Sequence, residues 1–158
     1  MSVTATIALA LTARETLTGA AVVDAATPTV VHNKFNINTT INASSTPPAT
    51  QVSSQTLTNT QTVDLTALPT IPGNVNATGL KVRGILITNP KTNTGALSVG
   101  GGANAYLLFG AVTITVALGA TLAVYFADGL AVVDATHKLI VFTPNNAADS
   151  YNVEILVG

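Results

Sequence analysis

Regular alternation of apolar and polar residues is the feature that most constrains this chain. In SVTATIALALT, near the start, positions 4, 6 and 12 are threonine. The odd positions would share one face of an extended chain, and they are Val3, Ala5, Ile7, Leu9 and Leu11. A period of two is typical of a half-buried β-strand, and Thr and Val suit a pleated sheet better than a helix. Because similar stretches recur to residue 158, the sequence predicts an all-β fold.

The chain carries few charges for its hydrophobicity. Six Lys and Arg and seven Asp and Glu are spread over 158 residues, of which 47% are hydrophobic. So few charges do little to keep single molecules apart in solution. Aromatic residues are also scarce, so the core relies on aliphatic side chains that contribute about 1.5–3 kcal/mol each when fully buried. We therefore predict a subunit that buries part of its surface against copies of itself or within a larger assembly.

The length predicts one β domain over residues 1–158. Its composition divides it into residues 1–60, a strand followed by an extended arm or loop, and residues 61–158, the β-sandwich core. The polar stretch in the first part contains Pro47 and Pro48, which lack the N–H that a central strand needs. We expect this stretch to lie at a sheet edge or to reach a neighbouring subunit.

After residue 60, apolar runs and turn residues alternate at the spacing of about 8–12 residues that is typical of a sandwich or barrel. Seven candidate strands result, at 61–65, 80–88, 96–100, 106–109, 112–118, 121–127 and a hairpin of 137–143 with 151–157. The short LGA at 118–120 predicts an antiparallel connection between the strands on either side of it. The predicted fold class is an antiparallel β-sandwich, jelly-roll-like, with an extended N-terminal arm or hairpin.

Alternation within these strands predicts which side chains are buried. The buried sets are Val112, Ile114, Val116 and Leu118; Leu122, Val124 and Phe126; and Tyr151, Val153, Ile155 and Val157. In the strand at 80–88 the pattern breaks, because Lys81 and Arg83 share parity with Ile85 and Ile87. A bulge at Gly84, or a strand that runs from the surface into the interior, would explain the break.

The composition argues against several classes of function. Without cysteine the chain has no disulfide, thiol nucleophile or thiolate metal site. With a formal charge of -1, and only Lys81 and Arg83 as a small basic pair, it has no basic surface for nucleic acid. The apolar run 7–11 is too short to span a bilayer and no Lys or Arg precedes it. We predict no nucleic-acid or membrane partner, and synthesis in the cytoplasm.

The histidines occur in no recognisable catalytic arrangement. A hydrolase would need a nucleophile, a base and a group that orients the base, and the chain has only His32 and His137. His137 begins a strand in DATHKLIVF, where a surface or turn-edge imidazole is expected. We interpret His32, in VVHNKF, in the same way.

The acidic residues and glycines suggest no site either. Asp128 with Asp134, or Asp64 with Glu154, could form a carboxylate pair, but seven scattered acids produce such pairs by chance. The loop around Asp128 and Asp134 lacks the Asp/Asn alternation of a calcium site. The glycines at 100–102 lack a following Lys or helix, so we interpret them as a turn with positive φ. We predict no catalytic, cofactor-binding or metal-binding residues, no cofactor and no enzymatic activity.

Carbohydrate or receptor binding is an alternative that the residues leave open. Sugars commonly pack on an exposed aromatic ring that has polar partners nearby. The chain has no Trp, and its tyrosines are Tyr106, Tyr125 and Tyr151. One of these rings would have to serve as the platform.

Several short sequence segments follow one another in a characteristic order over about residues 60–158. They are DLTAL at 64–68, GLKV at 79–82, ITNP at 87–90, NAYLLFG at 104–110 and YNVEILVG at 151–158. In these segments the chain resembles small structural proteins of tailed bacteriophages. The first 60 residues resemble them less.

The resemblance implies a non-enzymatic virion protein made in the host cytoplasm, with a capsid decoration (cement) protein as the first expectation. Such a protein clamps neighbouring major capsid subunits, usually as a trimer or dimer at a symmetry axis. We therefore expect a homo-oligomer, with a trimer favoured, bound to the major capsid protein; the alternative is a tail or fibre subunit. The arm at 28–62 could pair with a neighbour by β-augmentation. Deleting residues 1 to about 55 should then leave the sandwich folded and abolish assembly.

Overall fold

The computed structural model describes residues 3–16, 29–70, 73–108 and 112–158, with the backbone alone at 14–16 and 29–35. The first two strands, β1 (Thr4–Thr16) and β2 (Thr29–Asn42), pair only with each other, as an antiparallel ribbon. The strands that follow are β3 (Gln51–Thr58), β4 (Gln61–Asp64), β5 (Leu68–Pro69), β6 (Asn74–Val75), β7 (Val82–Thr88), β8 (Leu97–Val99), β9 (Ile114–Val116), β10 (Thr121–Tyr125), β11 (Leu139–Pro144) and β12 (Ser150–Val157).

Eight of these strands form the antiparallel β-sandwich that the alternation predicts. One sheet has the order β10-β7-β12-β3 and the other the order β4-β11-β8-β9, while β5 and β6 form a small separate ribbon. Within the described residues the one helix is a 3-10 turn of three residues, Leu65–Ala67, so none is long enough to cross a membrane.

The pairings are nested along the chain. The first strand of the sandwich pairs with the last, β3 with β12, and then β4 pairs with β11, β7 with β10 and β8 with β9. Two more pairings, β7 with β12 and β8 with β11, complete the sheets. Apart from β8 and β9, successive strands of the sandwich therefore lie in opposite sheets.

This nesting makes the predicted hairpin wrong, and it places the predicted LGA connection across the sandwich. Strands β11 and β12 lie in different sheets, although we predicted that 137–143 and 151–157 would pair. The LGA turn at 118–120 likewise joins β9 in one sheet to β10 in the other. A short connection limits the distance between two strand ends, but the chain can cover that distance within a sheet or across the sandwich.

The predicted strand at 106–109 is also wrong in its described part. Ala105 makes a single bridge to Leu139, and no strand follows. The reason is that Tyr106 turns into the interior. Its hydroxyl accepts a hydrogen bond from the Val82 N–H at 3.1 Å and donates one to the Ala131 carbonyl. Phe109 lies outside the described residues.

The burial of side chains between the two sheets agrees with the predicted inward faces on some strands and differs from them on others. On β12 the alternation is confirmed, because Tyr151, Val153, Ile155 and Val157 are buried while the residues between the first three are exposed. The β10 set Leu122, Val124 and Phe126 is half-buried against the same core. Around β9 the prediction is wrong at both ends, because Val112 and Leu118 are exposed, while within the strand Val116 is buried and Ile114 half-buried. This strand has three residues and lies at a sheet edge, so its flanks leave the sandwich.

The sandwich begins earlier in the chain than the predicted boundary at residue 61. Strand β3 pairs along its whole length with β12, so it belongs to the core. The described part of the predicted arm at 28–62 is thus β2, a connection at 43–50, β3 and the start of β4. A deletion of residues 1–55 would remove five of the eight residues of β3, whereas a deletion that removes only the ribbon would end at residue 42.

Candidate interaction surface

The ribbon of β1 and β2 has two chemically distinct faces. On one face alternate residues are mainly apolar, and we call the set Val3, Ala5, Ile7, Leu9, Leu11, Ile37 and Ile41 the apolar stripe. On the other face lie small and polar residues, namely Thr4, Thr6, Ala8, Ala10, Asn36, Asn38, Thr40 and Asn42. The predicted alternation is confirmed here from Val3 to Leu9. No charged residue occurs at 3–13 or 36–42.

The apolar stripe is buried at one end of the ribbon and open at the other. Val3 and Ile41 pack with Ala49 and Leu156 on the outer face of the sheet that contains β12. Val3 and Ile41 are 9% and 4% exposed, the next residues along the stripe are half-buried, and Leu11 is 70% exposed. The ribbon is thus anchored at its base, and its apolar face has no cover within the described residues towards Leu11.

A groove of about 240 Å³ separates the ribbon from the sheet beyond this anchor. Residues 5–9 line one side, and Val52, Leu86 and Ala123 are among those that line the other. The single charged residue of the lining is Glu154. Beyond the anchor, the ribbon is therefore separated from the sheet by a gap, and the surface of the sheet that lines this gap is mainly apolar.

Arg83 fixes the chain between the ribbon and the sandwich. Val157 pairs with Val82 and Leu156 with Gly84, so Arg83 is the extra residue of a bulge, one position before the predicted one. Its side chain is 1% exposed. The guanidinium donates hydrogen bonds to the carbonyls of Phe126 (3.2 Å), Ala127 (2.7 Å) and Pro47. Because Pro47 lies in the connection at 43–50, this contact fixes the point at which the ribbon leaves the sandwich.

His137 and Asp134 lie together in an exposed turn. The His137 Nδ1 is 3.1 Å from the Asp134 carboxylate, which also accepts hydrogen bonds from the N–H groups of Thr136 and His137. The contact with His137, followed by those with Thr136, holds the pKa of Asp134 well below its usual range. All these contacts are local, and they stabilise the turn before β11. The side chain of His32 lies outside the described residues.

The carboxylate pair of Asp64 and Glu154 does not form. Asp64 lies at the end of β4 and Glu154 on β12, in different sheets. The Asp64 carboxylate accepts hydrogen bonds from Thr66 N and Oγ1 at 2.8 and 2.6 Å and lies 3.4 Å from Lys138 Nζ. Burial opposes ionisation of Asp64, but the contacts with Thr66 and Lys138 outweigh it and lower the pKa. Asp64 therefore caps the 3-10 turn.

None of the three tyrosines offers an open ring for a sugar. Tyr106 and Tyr151 are buried, and Tyr125 is half-buried against the base of the ribbon. Burial raises the pKa of Tyr151 to about 12. Its hydroxyl donates to the Asn59 carbonyl, and its ring stacks on Phe142 at a centroid distance of 5.6 Å.

The remaining residues considered as possible site residues make contacts that stabilise turns and loops of the fold. The glycines at 100–102 have φ of 110°, 80° and 91°, as the interpretation as a turn predicts. Among the described side chains, no three His, Asp or Glu residues come close enough to hold a metal ion. The sequence did not single out Asp149, which is 5% exposed and accepts hydrogen bonds from the Thr94 and Gly95 N–H groups.

Comparison of the chain with protein-family models, with curated proteins and with solved structures finds no match.

Proposed function

We propose that this protein is a non-enzymatic structural component of a tailed-phage virion, and specifically a capsid decoration (cement) protein. The nested pairing of the eight sandwich strands carries the proposal. Pairing the first strand with the last, and so on inward to β8 and β9, is the topology expected of a jelly roll, an architecture common in viral capsid domains.

The surface supports an assembly role more than a solitary one. The fold alone does not determine a function, but the ribbon presents an uncharged apolar stripe that a monomer leaves open at Leu11. Exposed apolar surface of this kind marks interaction sites. We propose a homo-oligomer, with a trimer favoured, that contacts the major capsid protein in the virion.

A tail or fibre subunit is the second candidate, because a long ribbon can serve either location. The jelly roll also occurs in lectins, but a carbohydrate- or receptor-binding role has less support. The two most buried tyrosines, Tyr106 and Tyr151, are inaccessible to a ligand, and the chain has no Trp.

The test is to look for the chain in purified particles of the phage that encodes it. We expect mass spectrometry to find it in a fixed ratio to the major capsid protein, and antibody-gold labelling to lie over the head. Labelling confined to the tail would favour the second candidate. Particles that lack the chain, from a lysate that contains it, would contradict both locations.

A further inference from the structure

We propose that the open end of the apolar stripe, at Leu9 and Leu11, is a self-association surface, and that its partner is the same end of the stripe on a second copy of this chain. The inference rests on the proposed function, which requires assembly from copies, and it names the surface that assembles. In this arrangement equivalent residues around Leu11 and Leu9 meet near a symmetry axis, as in a closed homo-oligomer.

The first argument is the state of the ribbon in the single chain. An isolated two-stranded ribbon is at best marginally stable in water and needs a further layer on its apolar face. The sandwich supplies that layer only at the base, around Val3 and Ile41, and exposure then rises to 70% at Leu11. A second layer at the open end would complete the burial that the base begins.

The second argument is the absence of charge. Residues 3–13 and 36–42 contain no Asp, Glu, Lys or Arg. Over these residues two copies can meet without placing like charges together, which would cost free energy; charged residues begin just beyond them, at Arg14 and Lys34. A charged partner would instead bury its own charges against a surface that offers none in return. The stripe is therefore chemically suited to its own copy.

Cysteine-directed crosslinking tests this surface, because the chain has no cysteine of its own. The two variants are Leu11→Cys on the stripe and Ala10→Cys, its exposed neighbour on the opposite face. The reagent is a bismaleimide long enough to span facing ribbons about 10 Å apart. We expect covalent dimers from Leu11→Cys and little product from Ala10→Cys at the same concentration. Equal yields from the two variants, or none from Leu11→Cys, would overturn the inference.

Light scattering on the full chain gives a second, independent readout. Leu11→Asp places like charges at the axis and should shift the solution mass to that of a monomer, while Ala10→Asp keeps the wild-type mass. Circular dichroism confirms that both variants are folded. A monomeric wild type, or the same mass for both variants, would refute the surface. Particles that contain the chain, combined with failed crosslinking, would refute the surface and leave the proposed function standing.

Discussion

Replacing Arg83 by Met should destabilise the sandwich although it removes a buried charge. The guanidinium donates to three carbonyls, and the one at Phe126 also accepts the Gly129 N–H at 3.1 Å. The carbonyls of Pro47 and Ala127 would therefore lose the hydrogen bond that Arg83 supplies. Pro47 is half-buried and Ala127 is exposed, so the loss is that of the bonds themselves; a hydrogen bond from a charged group contributes about 1.5–3 kcal/mol, and the gross loss for the two bonds is about 3–6 kcal/mol.

Part of this loss is offset, because Met does not carry the desolvation cost of a buried guanidinium. Apolar replacement of buried ionic groups recovers about 1–4 kcal/mol in other proteins. The midpoints of the two ranges leave a net loss of about 2 kcal/mol, which corresponds to about 4–8 °C in Tm for a domain of this size. Arg83→Lys should fall between Met and wild type, since one ammonium cannot reach three carbonyls.

Urea unfolding followed by far-ultraviolet circular dichroism measures the effect at a fixed protein concentration. The matched control is Lys81→Met, two residues earlier, whose ammonium makes one exposed contact of 3.4 Å with the Asp128 carbonyl. The control should stay within about 0.5 kcal/mol of wild type. If Arg83→Met were as stable as the control, the desolvation cost would outweigh the three hydrogen bonds and the reasoning would be wrong.

Two further predictions concern Tyr151 and Gly129. Because burial raises the folded-state pKa of Tyr151 from 10.0 to about 12, its contribution is complete below pH 10 and is lost as the pH rises towards 12. Urea unfolding at pH 9–12 should show this fall in wild type and a weaker one in Tyr151→Phe; identical profiles would count against it. Gly129→Ala should destabilise by about 1–2 kcal/mol from its left-handed backbone alone, and more because the new Cβ would lie 2.6 Å from Lys81 Cβ at a φ of 72°. Gly73→Ala, which has nothing within 4 Å, is the control, and equal thermal midpoints for the two variants would disprove the strain.

The sequence predicts side-chain direction better than strand partnership. On β12 every predicted inward residue is buried, because period-two alternation reflects the geometry of a single strand. Partnership depends on which strands meet after the chain crosses the sandwich, and turn length does not determine this. The turns after β9 and β11 are both short, and both lead to the opposite sheet.

Residue type is a poor guide where a buried polar group has its hydrogen-bond partner far along the chain. Arg83 shares the parity of inward residues and Asp149 lies in no predicted strand; both residue types are usually exposed, yet both residues are buried. The carbonyls that receive Arg83 come from segments about forty residues away on either side, and the N–H groups that bind Asp149 lie in the loop after β7. Only the folded chain brings these donors and acceptors together. The exposure of Leu11 could not be predicted for a similar reason. Alternation places Leu11 on the apolar face of β1, but it does not show whether another part of the chain packs against that face.

The ribbon and the sandwich bury their apolar surface in separate clusters, which has a consequence for assembly. The core of the sandwich runs through both sheets, whereas the ribbon joins the sandwich through Val3, Ile41, Ala49 and Leu156 and through the hold of Arg83 on Pro47. Regions with few buried contacts open at a lower free energy than the core. The ribbon should therefore exchange its amide hydrogens faster than β12 in the free protein. If copies dock on the apolar stripe, assembly adds the missing layer, and protection of the β1 and β2 amides should then rise with protein concentration while that of β12 stays constant.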